Sequence, residues 1–189
     1  EGGEITGTLD EKIRHSITKL SNYHFVSTNQ AKTNLIKMGE YPETIFVTGC
    51  PRYDELLNIP KKNNDILEYY NVNKSNFLIF CYHPVSSNIN SSCEEWKILL
   101  ESLVELKIPT IFIKPNIDYG NEQLLELFNE LNIINTSYLY VYNHIDIDDF
   151  SILLKNCNVL IGNSSTGIRE ACVFGTPVIN IGTRQKGRL

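Results

Sequence analysis

From Phe77 onward, short apolar runs alternate with longer amphipathic ones without a break. NFLIFCYHP (76–84) is an almost continuous apolar run, of the kind a parallel strand shows when both its faces are covered. PTIFIKPN, residues 138–143, VLIGNSS and TPVINIG read as further strands. Between them, 93–106, 122–131, 146–156 and 166–174 carry helical spacing. Ser92, with Glu95 three residues on, predicts a capping box at the first of these helices. This rhythm predicts an α/β fold, a doubly wound parallel sheet with helices on both faces. Upstream, 23–28 and 44–49 read as strands, and 29–39 as a helix stopped by Gly39. Pro51 suits a helix start, 61–64 reads as a loop and 65–70 as a short helix.

The chain has 189 residues, enough for one domain, or for one domain and part of another. Hydrophobic residues make up 42% and charged residues 21%, which excludes wholesale disorder and collagen-like structure. A net charge of -5 argues against a nucleic-acid partner, because binding phosphates on a large scale needs excess Lys and Arg. No apolar run approaches the roughly 20 residues of a membrane span, so no membrane partner is expected. Five widely spaced cysteines, an odd number, read as reduced buried thiols and predict a cytoplasmic location. No CxxC occurs and the four histidines are scattered, so no metal site is expected. Both ends, EGGEITG and GTRQKGRL, read as mid-course loops and predict a segment of a longer chain.

In doubly wound sheets, ligands bind beyond the carboxyl ends of the strands. That rule selects His83, 114–118, His144 and Ile145, 163–170, and 182–184. VLIGNSSTGIRE (159–170) is the strongest local signal. Asn163, Ser164, Ser165 and Thr166 offer small polar side chains and free N–H groups where a helix begins. Phosphate binds readily at such a place, and Glu170, one turn further in, can accept both hydroxyls of a ribose. The alternative is a plain Ser/Thr cap with Glu170 completing a capping box. His83 can donate to a phosphate oxygen or move a proton; alternatively it only caps the sheet edge. Asn116 can bond a pyrophosphate and Lys114 can supply charge, or the segment is an Asx turn beside an exposed lysine. Arg184, Lys186 and Arg188 suit phosphate contact, or form a solvated basic tail. At the other end, Glu1, Glu4, Asp10 and Glu11, followed by Arg14 and His15, offer general acids and bases, or simply an acidic helix start.

EGGEITGTLDEKIRHSITKLS, GCPRYD, YHPVSS, KPNIDYG, IGNSSTGIREA and FGTPVINIGTRQKGR occur in this order. Together they resemble the UDP-N-acetylglucosamine 2-epimerase family, in its hydrolysing, sialic-acid-pathway branch. The resemblance covers the whole chain but only about the second half of a family member. It implies the C-terminal Rossmann-like domain of a glycosyltransferase-B-like two-domain fold, at 41–189. Residues 1–40 would then be a remnant of the N-terminal catalytic domain and the interdomain connection. His83 and Asn116 match positions that contact the nucleotide, and Ile145 matches one that holds uracil through its backbone. Ser164 and Ser165 match pyrophosphate-binding serines, Glu170 the ribose-binding carboxylate, and Arg184 a nucleotide-contacting arginine. Glu1 matches a catalytic carboxylate. Asp10 and Glu11 match an acidic pair implicated in the chemistry, with Arg14 following. His83 is counted among the catalytic candidates too.

The implied reaction is UDP-N-acetylglucosamine plus water giving N-acetylmannosamine and UDP. It runs through loss of the C2 proton and of UDP, with no metal and no redox cofactor. The implied partners are a UDP-sugar and further copies of the parent protein in a homo-oligomer. Two other readings stand beside it. One is the donor-sugar domain of a glycosyltransferase of the same architecture. The other is a UDP-binding module, inactive as an isolated fragment. The substituents at the 4- and 6-positions of the sugar are left open.

Overall fold

The computed structural model describes residues 3, 9–59, 63–83, 89–115, 126, 128, 129 and 136–186. Contacts divide the chain into two units, Glu1–Asn58 with Gln185–Leu189, and Ile59–Arg184. In the first unit, helix α1 spans Leu9–Leu20, strand β1 His24–Val26, and α2 Asn29–Lys37. A 3-10 turn at Pro42–Thr44, strand β2 (Ile45–Val47) and α3 (Pro51–Leu57) follow. The start of α2 is set by Thr28, whose hydroxyl accepts the Ala31 N–H at 3.1 Å. Its end is set by Gly39, at φ +91, a conformation glycine adopts without strain. β1 and β2 pair in parallel, His24 opposite Ile45, over a core of Val26, Ala31, Leu35 and Ile45. Pro51 opens α3 as expected.

The expected boundary after residue 40 does not coincide with this division. β1 and β2 lie on either side of that position and hydrogen-bond to one another, so the break falls at Asn58.

The second unit runs α4 (Asn63–Tyr69), β3 (Leu78–Cys81), α5 (Ile89–Leu106), β4 (Thr110–Ile113) and β5 (Leu139–Tyr142). It continues through α6 (Ile147–Asn156), β6 (Val159–Gly162), α7 (Thr166–Arg169), α8 (Ala171–Phe174) and β7 (Val178–Asn180). Among the described residues, five parallel strands lie in the order β5-β4-β3-β6-β7. β3 is central and all four of its residues are buried. Its alternation sends Phe77, Ile79 and Cys81 to one face, against Leu153 and Leu154 of α6 and Ala171 of α8. Leu78, Phe80 and Tyr82 face the other way, against Trp96, Leu100 and Leu103 of α5. Trp96 is fully buried, with ring centroids 5.5 Å from Phe80 and Phe112. A continuous apolar run is therefore what this strand requires, and the doubly wound α/β expectation is met.

Three local expectations change. α5 begins at Ile89, so Ser92 lies a turn inside it and is not its cap. Glu95 instead accepts the Tyr82 hydroxyl at 2.8 Å. Asn63 and Asn64 belong to α4 rather than to a loop. The single helix expected at 166–174 is two short ones, parted at Glu170. Of the expected helix at 122–131, Glu126, Phe128 and Asn129 are helical, and the remainder lies outside the described residues. Among the described residues, no helix is long and apolar enough to cross a membrane.

Candidate functional site at the switch between β3 and β6

From β3 the chain winds out through β4 to β5; from β6 it winds the other way to β7. The reversal falls between β3 and β6, and the place beyond their carboxyl ends is the usual ligand position in such sheets. Cys81 and Gly162 are register partners at those ends. His83 and Asn163, both buried, come next.

Their two segments are tied closely. The Asn163 side-chain oxygen accepts the His83 backbone N–H at 2.7 Å. Its amide nitrogen donates to the His83 carbonyl at 2.8 Å. The Asn163 backbone N–H donates to the Cys81 carbonyl at 3.2 Å. Gly162, at φ +142, makes this approach possible: a Cβ there would stand 1.9 Å from the Cys81 carbonyl oxygen. Arg184, half-buried after β7, donates from Nη1 to the Asn163 carbonyl at 3.1 Å. The Cys81 sulfur lies 3.5 Å from His83 Nε2. Burial pushes the Cys81 thiol up to about 11, against smaller opposing effects of the Ser164 hydroxyl and the Arg184 charge. It is therefore a neutral thiol near pH 7.

After Asn163 the chain turns. The Thr166 N–H donates to Ser164 Oγ at 3.4 Å, and the Ile168 and Arg169 N–H groups donate to the Ser165 carbonyl at 3.0 Å each. The Ser165 side chain makes no capping bond. With Ser165 at the cap, the capping-box position is Ile168, so Glu170 does not complete a box. Glu170 is half-buried where α7 gives way to α8. A Cβ on Gly167 would come within 2.9 Å of Val178 Cγ1, so glycine lets α7 sit close on β7.

The structure thus brings His83, Ser164, Ser165, Glu170 and Arg184 to one edge. The Ile145 side chain is buried in the core layer that includes Leu153 and Leu154, which fixes its main chain beyond β5. Lys114 is half-buried beyond β4, and His144 is exposed, its Nε2 3.8 Å from the Asp146 carboxylate. Asn116, Arg188 and Glu1 lie outside the described residues. Asp10, Glu11 and Arg14 share α1, in the first unit. Sequence reasoning missed two participants. Asn163 counted there as one of several small polar groups, and Cys81 only as a buried thiol. An amide residue directly after a strand-ending glycine was the available signal.

The UDP-N-acetylglucosamine 2-epimerase family matches residues 1–189. A Legionella pneumophila UDP-N,N'-diacetylbacillosamine 2-epimerase (hydrolyzing) is 36% identical over 190 residues, 99% of this chain and 50% of that protein. A Neisseria meningitidis UDP-N-acetylglucosamine 2-epimerase is 36% identical over 189 residues, 100% of this chain and 49% of that protein. The chain thus spans about half the length of these relatives. The crystal structure of UDP-GlcNAc 2-epimerase from Neisseria meningitidis bound to UDP-GlcNAc superposes with a TM-score of 0.76 at 18% identity. That superposition covers 95% of this chain and 51% of that one, and it speaks for the fold, which is glycosyltransferase-B-like. With the family match running the length of the sequence, the chain belongs to the UDP-N-acetylglucosamine 2-epimerase family.

Proposed function

We propose that this chain is the nucleotide-binding half of a hydrolysing UDP-N-acetylglucosamine 2-epimerase. The reaction is UDP-GlcNAc plus water giving N-acetylmannosamine and UDP, feeding sialic or related nonulosonic acid synthesis in the cytoplasm. The observation that carries this reading is the convergence of His83, Ser164 and Arg184 around Asn163 at the switch point. Ser164, Ser165, His83 and Arg184 would hold the pyrophosphate and stabilise charge on the leaving UDP. Glu170 would accept the ribose hydroxyls, the Ile145 main chain would hold uracil, and Asn116 would complete the nucleotide contacts.

The chemistry begins when a base takes the C2 proton and the bond from C1 to the UDP oxygen breaks, leaving a glycal and UDP. Water then delivers hydroxyl to C1, and a proton returns to C2 on the opposite face. Glu1, Asp10 and Glu11 are the proposed proton-transfer groups, with Arg14 supplying a fixed positive charge and His83 assisting. No metal or redox step enters this balance. The parent protein would work as a homo-oligomer.

Incubating that full-length protein with UDP-GlcNAc and following products tests the reading. Free N-acetylmannosamine and UDP in equal amounts are expected. UDP-N-acetylmannosamine as the product would exclude the hydrolysing mode. Sugar held until an acceptor is added would point to a glycosyltransferase instead. Residues 1–189 alone are expected to bind UDP and turn over nothing, and measurable epimerisation by them would overturn that.

A second substrate is favoured by one observation. The Legionella relative, at 36% identity, is named for a diacetamido sugar, UDP-N,N'-diacetylbacillosamine. Running both UDP-sugars side by side and comparing kcat/KM decides between them.

A further inference from the structure

Asn163 is 1% exposed, and all four of its polar groups are engaged at one crossing of chain segments. Its side chain closes two hydrogen bonds on the main chain of His83, at 2.7 and 2.8 Å. Its N–H returns to the Cys81 carbonyl at 3.2 Å, and its own carbonyl receives Arg184 at 3.1 Å. Through these bonds one residue joins the segments after β3, β6 and β7. Those three segments carry His83, Ser164 with Ser165, and Arg184.

A side-chain amide suits this task because it presents a donor and an acceptor side by side, matching the acceptor and donor of one residue's main chain. Aspartate has the same shape but presents two acceptors, and one would face the His83 carbonyl. Alanine takes away the side-chain partner of a buried N–H and a buried carbonyl, which is costly at a buried site. Gly162 belongs to the same device, since any Cβ there would push β6 off the Cys81 carbonyl. A phosphate-binding edge binds more tightly when its donors stand in place before the ligand arrives.

We propose that Asn163 is a positioning residue that sets His83 and Arg184, through their bonds to its own side chain and carbonyl, in one preorganised anion-binding edge with Ser164 and Ser165. This rests on the nucleotide-site reading above.

The test uses the 189-residue chain, UDP as the probe, and the variants Asn163→Ala and Asn163→Asp, well below their unfolding midpoints. Calorimetric titration should show both variants binding UDP about tenfold more weakly, the loss expected when buried hydrogen bonds that preorganise a site are broken. Asn163→Asp keeps the shape but also brings a carboxylate to the anion site, so its affinity loss is read together with that of the uncharged Asn163→Ala and with the exchange arm below, which involves no anion. Wild-type affinity in Asn163→Asp would overturn the proposal. A cycle with His83→Ala should give losses that are less than multiplicative, and independent losses would also overturn it. Hydrogen exchange at the His83 amide supplies an arm that does not depend on the nucleotide. It should be slow in the unsubstituted chain and at least about tenfold faster in both variants, as for an amide whose buried partner is lost. If the unsubstituted chain takes up no UDP, the nucleotide reading fails, and His83 exchange alone decides the clamp. Unchanged exchange then rejects it.

Discussion

Glu170 stands at the junction of two four-residue helices, α7 and α8, where its backbone sits at φ -105 and ψ -39. A single continuous helix was the simpler expectation. The break leaves a half-buried carboxylate beside the serine turn, with the capping role already excluded by the position of Ser165. If Glu170 accepts the ribose hydroxyls, Glu170→Ala should weaken UDP binding by roughly 1–3 kcal/mol, the usual cost of losing charge-assisted hydrogen bonds. Uridine, which keeps the ribose, should suffer the same loss, and inorganic pyrophosphate should not. Equal calorimetric affinities for UDP in the two proteins would return Glu170 to a purely local role.

Between elements, the clearest electrostatic tie lies in the first unit. Lys19, near the end of α1, donates to the Met38 carbonyl and lies 2.7 Å from Glu40 Oε1. His24 of β1 lies 3.2 Å from the other oxygen of the same carboxylate. The Lys19 hydrogen bond, opposed in part by burial, holds Glu40 below the ordinary carboxylate value of 4.5. A depressed folded value means that the unfolded chain binds the proton more readily. The stabilisation is therefore complete above pH 4.5 and is lost as pH falls through the folded value. Glu40→Gln should lower the unfolding midpoint at pH 7, and the gap from wild type should close on acidification below pH 4.5. A gap that stays constant with pH would show that Glu40 acts through packing alone.

The same scale shows what was legible beforehand. The strands of the second unit were readable because β3 is buried on both faces, and only a continuous apolar run survives there. The candidate edge could be located beforehand because the end of β6 is marked by a glycine and small polar residues, at Gly162–Asn163. The start of α5 was not. Ser92 and Glu95 have the spacing of a capping box, but Glu95 is engaged by Tyr82 across the helix–sheet interface, and tertiary contact overrode the local signal. Nor was the role of Asn163 legible, since its partners lie 80 residues before it and 21 after it in the chain.

At the scale of the whole molecule, the chain is two units with separate cores. One is built on β1 and β2, the other on the five-stranded sheet. All the proposed nucleotide contacts among the described residues belong to the second, whereas α1, with Asp10, Glu11 and Arg14, belongs to the first. A ligand that binds only folded protein stabilises what it touches, by about 2.7 kcal/mol at a hundredfold excess over Kd. Saturating UDP should therefore slow hydrogen exchange at β3, at β6, and at the segments carrying His83, 163–170 and Arg184. The amides of β1 and β2, which among the described residues form a two-stranded sheet with one another, should exchange at their unliganded rates. This would separate nucleotide binding, proposed for one unit, from turnover, which in this reading also needs the carboxylates of the other. Equal slowing at Phe25 and Phe46 would show that the nucleotide is shared between the units, and the division of labour proposed for them would fall.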